Sequence, residues 1–81
     1  MGNVVYIVMF DDPTAGEGIN GVWDNGFSAA NAAWASSREC CRFSGEEGWP
    51  KKVQTYGKEV LRIEYGPESY TTVERHRVRD E

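Results

Sequence analysis

Apolar residues occupy both faces of the first extended segment of the chain. The segment reads VVYIVMF, residues 4–10, in which the even-numbered positions carry Val, Tyr, Val and Phe and the odd-numbered positions carry Val, Ile and Met. Alternate residues of a strand point to opposite faces, so both faces of this strand are apolar. In a strand with one solvent-exposed face, apolar residues normally alternate with polar residues. The pattern predicts a strand over about residues 3–11 that needs cover on both sides, and it leaves open which face meets the helix.

A second strand is predicted after a loop. The loop reads DDPTAGEG, where Pro13, Gly16 and Gly18 disfavour a continuing strand. Apolar residues resume in INGVWD, residues 19–24, which predicts a short strand antiparallel to the first. Gly21 either weakens this strand or marks a bulge in it.

One helix is predicted, over about residues 28–43. Ser28 is a good N-cap, and the alanines that follow it are strong helix formers. A stripe of mostly small residues recurs at helical spacing and would let the helix lie close to a sheet. Its members are Ala30, Ala33, Trp34, Ser37 and Cys41.

The last third of the chain predicts a hairpin. SGEEGWPKK reads as a loop, and VQTYG, residues 53–57, as a short strand or extended segment. EVLRIEY then alternates, with Leu61, Ile63 and Tyr65 on one face. GPES is a turn signal containing Pro67, and residues 70–78, YTTVERHRV, return as the final strand.

The order of these elements, β-β-α-β-β, predicts an α+β fold in which one helix packs on one face of an antiparallel sheet. The 81 residues suffice for a single small domain, residues 1–81. No second helix is available for the other face of the first strand.

Composition favours a soluble, cytoplasmic protein that contacts no membrane. No apolar run approaches the roughly 20 residues of a membrane span, and no signal-peptide pattern is present. The adjacent Cys40 and Cys41 read as reduced thiols, because neighbouring cysteines rarely reach disulfide geometry. Cys41 is interpreted as a small core residue, and Cys40 is the second candidate for the same role.

The sequence indicates no enzyme and no cofactor or metal. One histidine and two cysteines cannot complete a zinc site without carboxylates. His76 lies between Arg75 and Arg77 in ERHRVR, and no nucleophile stands at a motif spacing from it. It is interpreted as a surface strand residue.

Acidic residues near loops and strand ends are the candidate partner-binding set, together with two tryptophans of the kind that anchor interfaces. Solubility alone also explains the acids. If the loops converge, they form a negative surface suited to a basic, nucleic-acid-binding groove on another protein. The set is Asp11, Asp12, Glu17, Trp23, Asp24, Glu46, Glu47 and Trp49.

A basic strand is the secondary candidate. Arg75, Arg77 and Arg79 share one strand face at a period of two. They can contact phosphates or an acidic partner, or simply protect an edge strand from pairing with another chain. The formal net charge of −4 disfavours direct nucleic-acid binding.

The outline, with VVYIVMFDD followed by GVWDNGFSAANAAW, resembles the small accessory proteins of phages and mobile elements, anti-CRISPR proteins among them. The resemblance implies a stoichiometric inhibitor that occludes a functional surface of a host protein or ribonucleoprotein complex. The alternative from the residues is a self-associating domain whose uncovered sheet face forms a homodimer. Nucleic-acid binding through the arginine strand is a weaker third hypothesis.

Overall fold

A five-stranded antiparallel sheet carries one helix on one face in the computed structural model, which describes residues 3–41 and 47–78. The predicted α+β fold is confirmed. The elements are β1 (Val4–Asp12), β2 (Gly16–Trp23), α1 (Gly26–Cys41), β3 (Lys51–Lys52), β4 (Glu59–Gly66) and β5 (Ser69–Arg77). Across the sheet the order is β2-β1-β5-β4-β3, so β1 lies inside the sheet and β2 lies at an edge.

The even-numbered face of β1 meets the helix. Val8 is fully buried in one cluster with Ala29 and Ala33 of α1, and Tyr6 packs against that cluster. The odd-numbered residues of the strand therefore point to the other side of the sheet. This settles which apolar face of VVYIVMF the helix covers.

Small residues on α1 bring the helix close to the sheet. Ala29, Ala33 and Ser37 are its buried positions, and they lie one turn apart along one side. Strand side chains fill the space beneath them, and the partly buried Trp34 packs against the same cluster. Ala29 completes the stripe that the sequence predicted, whereas Ala30, Trp34 and Cys41 are only half-buried.

The predicted start of the helix was wrong by two residues. The helix begins at Gly26, and Asn25 Oδ1 accepts the backbone N–H of Ser28 at 2.8 Å. Asn25 is therefore the N-cap, and Ser28 lies inside the first turn. The predicted end at residue 43 lies outside the described residues.

The β1–β2 loop is shorter than predicted. Only residues 13–15 form the turn, and β2 already begins at Gly16. The Asp12 carboxylate accepts the backbone N–H groups of Thr14 and Ala15, a local bond pattern that holds a tight turn without glycine at its centre. The strand pairing shifts where Val8 faces Gly21 and Met9 faces Ile19, which leaves Asn20 as the extra residue of a bulge next to Gly21.

Two glycines of β2 make room for aromatic rings. A Cβ atom at Gly18 would lie 2.7 Å from Phe10 Cζ, and one at Gly21 would lie 2.6 Å from Trp23 Cη2. The rings lie against the backbone of β2 where any larger residue would collide with them. Trp23 thus covers its own strand and also packs on the core.

The short strand before the final hairpin lies earlier than predicted. Lys51 and Lys52 pair with Glu64 and Ile63, while residues 53–56 form no strand. The short strand that was one of the two alternatives for VQTYG therefore lies two residues earlier, at the end of the predicted loop SGEEGWPKK. Part of that loop, residues 42–46, lies outside the described residues.

The final hairpin matches its prediction closely. Leu61, Ile63 and Tyr65 are all buried on the helix side of β4. The chain turns at Pro67 and Glu68, and Glu68 adopts a positive φ of 58°. Pro in the second position followed by a positive φ is the pattern of a type II turn.

Candidate protein-binding surface

The side of the sheet away from α1, here called the open face, carries an uninterrupted apolar patch. In β1 the odd-numbered side chains point there, and in β2 Val22 stands opposite Ile7 while Ile19 stands opposite Met9. Ile19 is 62% exposed and Val22 57% exposed. We call this patch the apolar row, and its members are Val5, Ile7, Met9, Ile19 and Val22.

No described helix or strand lies over the apolar row. The helix packs on the opposite side, where the core residues lie. Single exposed apolar side chains are normal on a protein surface, but a contiguous patch across two neighbouring strands is a feature of interaction sites. The second face of β1 therefore has no cover from a helix or strand among residues 3–41 and 47–78, and its side chains Val5, Ile7 and Met9 are half-buried.

Charged residues continue the open face on β5 and β4. Glu74 stands opposite Ile7, and Glu59 stands opposite Glu74. Along this half, His76 Nε2 lies within hydrogen-bond distance, 2.8 Å, of Glu74 Oε1. Ion pairs join Arg62 Nη1 to Glu59 Oε2 at 2.6 Å and Lys51 Nζ to Glu64 Oε1 at 3.6 Å. The face is thus apolar on one half and charged on the other.

Arg62 lies at the centre of the charged half. Its guanidinium carbon is 4.3 Å from the centre of the Tyr70 ring and 5.5 Å from that of Tyr56. Stacking between two tyrosines and the bond to Glu59 fix this long side chain in one position. A shallow cavity of about 150 Å³ separates Arg62 and Tyr70 from Met9 and Glu17. Arginine and tyrosine are enriched at interface hot spots.

Carboxylates outnumber permanent cations on the open face. Those whose register or ion pairs place them there are Asp11, Glu17, Glu59, Glu64 and Glu74, against Lys51 and Arg62. Asp11 and Glu17 stand directly opposite each other, both exposed, at the end of β1 and the start of β2. Like charges in that position repel, so a positive charge from outside would be favourable there.

Asp12 fixes the position of this acidic end from the helix side. Its carboxylate accepts the Thr14 and Ala15 amides and, at 2.6 Å, the hydroxyl of Tyr65, which reaches across from β4. The Ala15 bond first, and the Tyr65 bond second, hold the pKa of Asp12 below its ordinary value. Burial first, and the hydrogen bond to the Asp12 carboxylate second, raise the pKa of the Tyr65 hydroxyl. The acidic turn is therefore tied to the body of the sheet.

The structure brings only part of the predicted partner-binding set together. Asp11, Asp12 and Glu17 meet at the β1–β2 turn. Trp23 pairs with Tyr6 at the far end of the same strands, which places Trp23 and the exposed Asp24 at the opposite end of the sheet.

The remaining members of that set precede β3. Glu47 is exposed and Trp49 is half-buried. Because Lys51 pairs with Glu64, the chain before it lies towards the β4–β5 turn, the same end of the sheet as Asp12. Glu46 lies outside the described residues. The acids therefore do not all gather in one surface, because sheet topology sends Asp24 to the other end.

The basic strand forms a separate feature at the end of the sheet opposite Asp12. Arg75 pairs with Tyr6 and Arg77 with Val4, so both share one face of β5, as predicted, and that face is the helix side of the sheet. The interpretation that they protect an edge strand was wrong, because β5 lies between β1 and β4. Both are exposed, and with Lys58 and His76 they line a surface cavity of about 330 Å³. Arg79 lies outside the described residues.

The two adjacent cysteines show no activated thiol. Burial first, with the Asp12 and Glu39 carboxylates next, raises the pKa of Cys40, and burial raises that of Cys41. Cys41 Sγ donates to the backbone oxygen of Tyr65 at 3.1 Å at the edge of the core, as predicted for a small packing residue. Cys40 is exposed, so of the two candidates only Cys41 packs at the core.

Sequence reasoning missed the residues that define the open face. Ile19 and Val22 were treated as strand formers, and Arg62, Glu59 and Glu74 were not candidates. The signal was available in part: alternation in EVLRIEY already set Arg62 and Glu64 on the face opposite Leu61. The placement of β5 between β1 and β4, which joins these residues to the apolar row, has no local sequence signal.

No helix among residues 3–41 and 47–78 has the length and apolar character of a membrane span. Within the same ranges, no group of three or more His, Cys, Asp or Glu side chains is arranged to hold a metal ion. Comparisons with family models, curated proteins and solved structures found no match to this chain.

Proposed function

We propose that this chain is a non-enzymatic binding protein that docks the open face of its sheet on a basic surface of another protein. The observation that carries the proposal is the apolar row bounded by carboxylates, with no described helix or strand over it. Burial of apolar surface supplies the free energy of such a contact, and the carboxylates select a partner of opposite charge.

Occlusion is the mode of action that follows from this chemistry. Basic protein surfaces are commonly those that bind nucleic acid, because Lys and Arg neutralise phosphates. A small acidic protein seated there would compete with the nucleic acid. The resemblance to phage accessory proteins points the same way, towards a host protein or ribonucleoprotein complex as the partner.

A homodimer through the same face is the second candidate, favoured by the apolar character of both faces of β1. The excess of carboxylates on the open face opposes it, because two copies would bring like charges together. Light scattering on an eluting peak over a range of concentrations separates the two. A monomer at every concentration supports a different protein as partner, and a dimer that persists on dilution overturns that proposal.

Binding assays with paired variants test the function. The partner is captured from the cell that makes the chain, and its affinity for each variant is measured. Ile19→Glu places a charge in the apolar row, and Ala35→Glu places the same charge on the exposed side of α1 as the control. We expect Ile19→Glu to weaken binding by about tenfold or more, a loss of about 1.4 kcal/mol, and Ala35→Glu to leave it unchanged.

Charge reversal tests the nature of the partner. Glu17→Lys reverses an acid on the open face, and Asp24→Lys reverses an exposed acid at the other end of the sheet. The proposal predicts weaker binding and a flatter salt dependence for Glu17→Lys only. Equal effects of both changes would show that net charge, rather than the open face, governs binding.

A further inference from the structure

Edge strand β2 provides a second means of contact at the border of the open face. It pairs with β1 alone, so the backbone N–H and C=O groups along its outer edge have no partner strand among the described residues. Such an edge is a template for an added strand. Natural edges are usually protected by lysine and other charged side chains, by proline, by a bulge or by very short length. β2 spans eight residues and carries one charge, Glu17, and one bulge, but GEGINGVW contains neither lysine nor proline.

The bulge at Asn20 divides this edge. A bulge twists the strand and disturbs pairing near it. The part that pairs residue by residue with β1 is Gly16–Ile19, opposite Asp12 to Met9, and its first residue, Gly16, has a positive φ of 81°. The accessible edge is therefore concentrated at the acidic end of β2.

Charge at that end defines the occupant. Glu17 faces Asp11 across the strand pair, and both are exposed on the open face. A strand added outside β2 would set a residue directly beside Glu17, on the side away from Asp11. Lys or Arg in that position would relieve the repulsion between the two carboxylates.

The next position on the open face requires an apolar residue. Ile19 lies two residues after Glu17 and is 62% exposed. In an antiparallel addition, the neighbour of Ile19 stands two residues before the neighbour of Glu17. On the helix side of β2 no particular residue type is required of the added strand, because the Phe10 ring already lies against Gly18.

We propose that β2 binds an extended basic segment of the partner protein by antiparallel strand addition, reading an apolar residue followed two positions later by Lys or Arg. The inference rests on the proposed function and specifies its partner. Main-chain hydrogen bonds to Gly16–Ile19 supply part of the affinity, and the alternate side chains beside Ile19 and Glu17 supply the selectivity.

Peptide titration with the isotope-labelled chain tests this inference without the natural partner. The probe is Ac-Thr-Val-Thr-Val-Thr-Arg-Thr-Lys-NH₂, which places valines and cations on one face. The composition-matched control is Ac-Thr-Val-Thr-Val-Arg-Thr-Lys-Thr-NH₂, which places the cations on the opposite face. We expect amide shifts and slowed hydrogen exchange in Gly16–Ile19 with the probe, and binding of the control weaker by about threefold or more.

A second control removes the hydrogen bonds. Two forms of the probe are made, each methylated on the amide nitrogens along one of its two edges, and a methylated edge cannot donate hydrogen bonds to β2. Because only one edge of the bound peptide faces β2, we expect one of the two forms to lose the amide shifts. Equal binding by the probe, the control and both methylated forms would overturn the inference. So would slowed exchange of β2 amides by self-association of the chain without peptide, because a second copy would then be the occupant.

The two proposals fail in different ways. If the captured partner depends on Ile19 and Glu17 but leaves the exchange of the β2 amides unchanged, strand addition is wrong and docking on the open face stands. If neither substitution affects capture, the open face itself is not the binding surface.

Discussion

Thr71 illustrates how a single buried residue limits the stability of a small core. Its side chain is fully buried on β5, and its hydroxyl is the one buried side-chain polar atom without a hydrogen-bond partner in the described part of the chain. Burying a hydroxyl without a partner costs free energy that an apolar group of the same shape does not incur. The residue therefore marks a site where the fold can be stabilised.

Thr71→Val is expected to raise the free energy of unfolding by about 1 kcal/mol. The valine keeps the shape and the β-branched preference for a strand while removing the unsatisfied oxygen. Thr72→Val, one position along the strand on the open face, is the control and should change stability by less than about half that amount. Urea unfolding monitored by tryptophan fluorescence measures both, and a destabilised Thr71→Val would contradict the account.

Hydrogen bonds to the Asp12 carboxylate, from the Ala15 amide first and the Tyr65 hydroxyl second, link stability to pH. The folded protein holds the pKa of Asp12 below the value of 3.8 that the group has when unfolded. The unfolded chain therefore binds the proton more readily, so this contribution is present above pH 3.8 and is lost as the pH falls through the folded pKa. Tyr65→Phe should make the loss of stability on acidification shallower.

Urea unfolding from neutral to acid pH measures this effect in the wild type and in Tyr65→Phe. The Ala15 and Thr14 amides still hold the Asp12 carboxylate in the variant, so part of the pH dependence should remain. Asp12→Asn removes the ionisable group and should remove the contribution of this residue altogether. Parallel curves for the wild type and Asp12→Asn would contradict the assignment.

At the scale of the element, periodicity predicted faces better than boundaries. The alternation in β4 identified its buried face, because burial on one side leaves a period of two in the sequence. In β1 both faces are apolar, so only the structure shows which face meets the helix. The helix stripe was likewise predicted, through Ala33 and Ser37. The start of the helix was predicted wrongly because two residues near it, Asn25 and Ser28, are both good N-caps. Only the geometry of the structure shows that Asn25 is the cap.

The identity of the cap is testable by substitution. Asn25→Ala should lower the free energy of unfolding by about 1 kcal/mol, because the Ser28 amide loses its acceptor. Ser28→Ala, which the sequence alone would have ranked as the damaging change, should cost less, since alanine is favourable inside a helix. The same urea experiment compares them, and a larger cost for Ser28→Ala would restore Ser28 as the cap.

At the scale of the whole molecule, the strand order creates the candidate surface. Sequence predicted that one face of β1 needs cover that the helix cannot give. It could not predict that β5 separates β1 from β4, which sets Glu74 and Arg62 beside the apolar row. Sheet order depends on contacts between residues distant in sequence, and no local pattern reports them.

The acidic and basic ends of the sheet arise in the same way. Antiparallel pairing of β1 with β5 sets Asp11 beside Tyr70 at one end and Val4 beside Arg77 at the other. Acids of the β1–β2 turn therefore gather away from the arginines of β5. Net charge alone, at −4, does not reveal this separation. The separation of acids from arginines orients the chain in the field of a charged partner and favours one docking direction.

The central claim is that the open face is occupied by a different protein. Site-specific photocrosslinking inside the cell that makes the chain tests it most directly, with the reactive residue at Val22 on the open face or at Ala35 on the exposed side of α1. The account predicts one dominant adduct from Val22, to a protein with a basic surface, and no equivalent from Ala35. An adduct of Val22 with a second copy of the chain, or the same adducts from both positions, would contradict it.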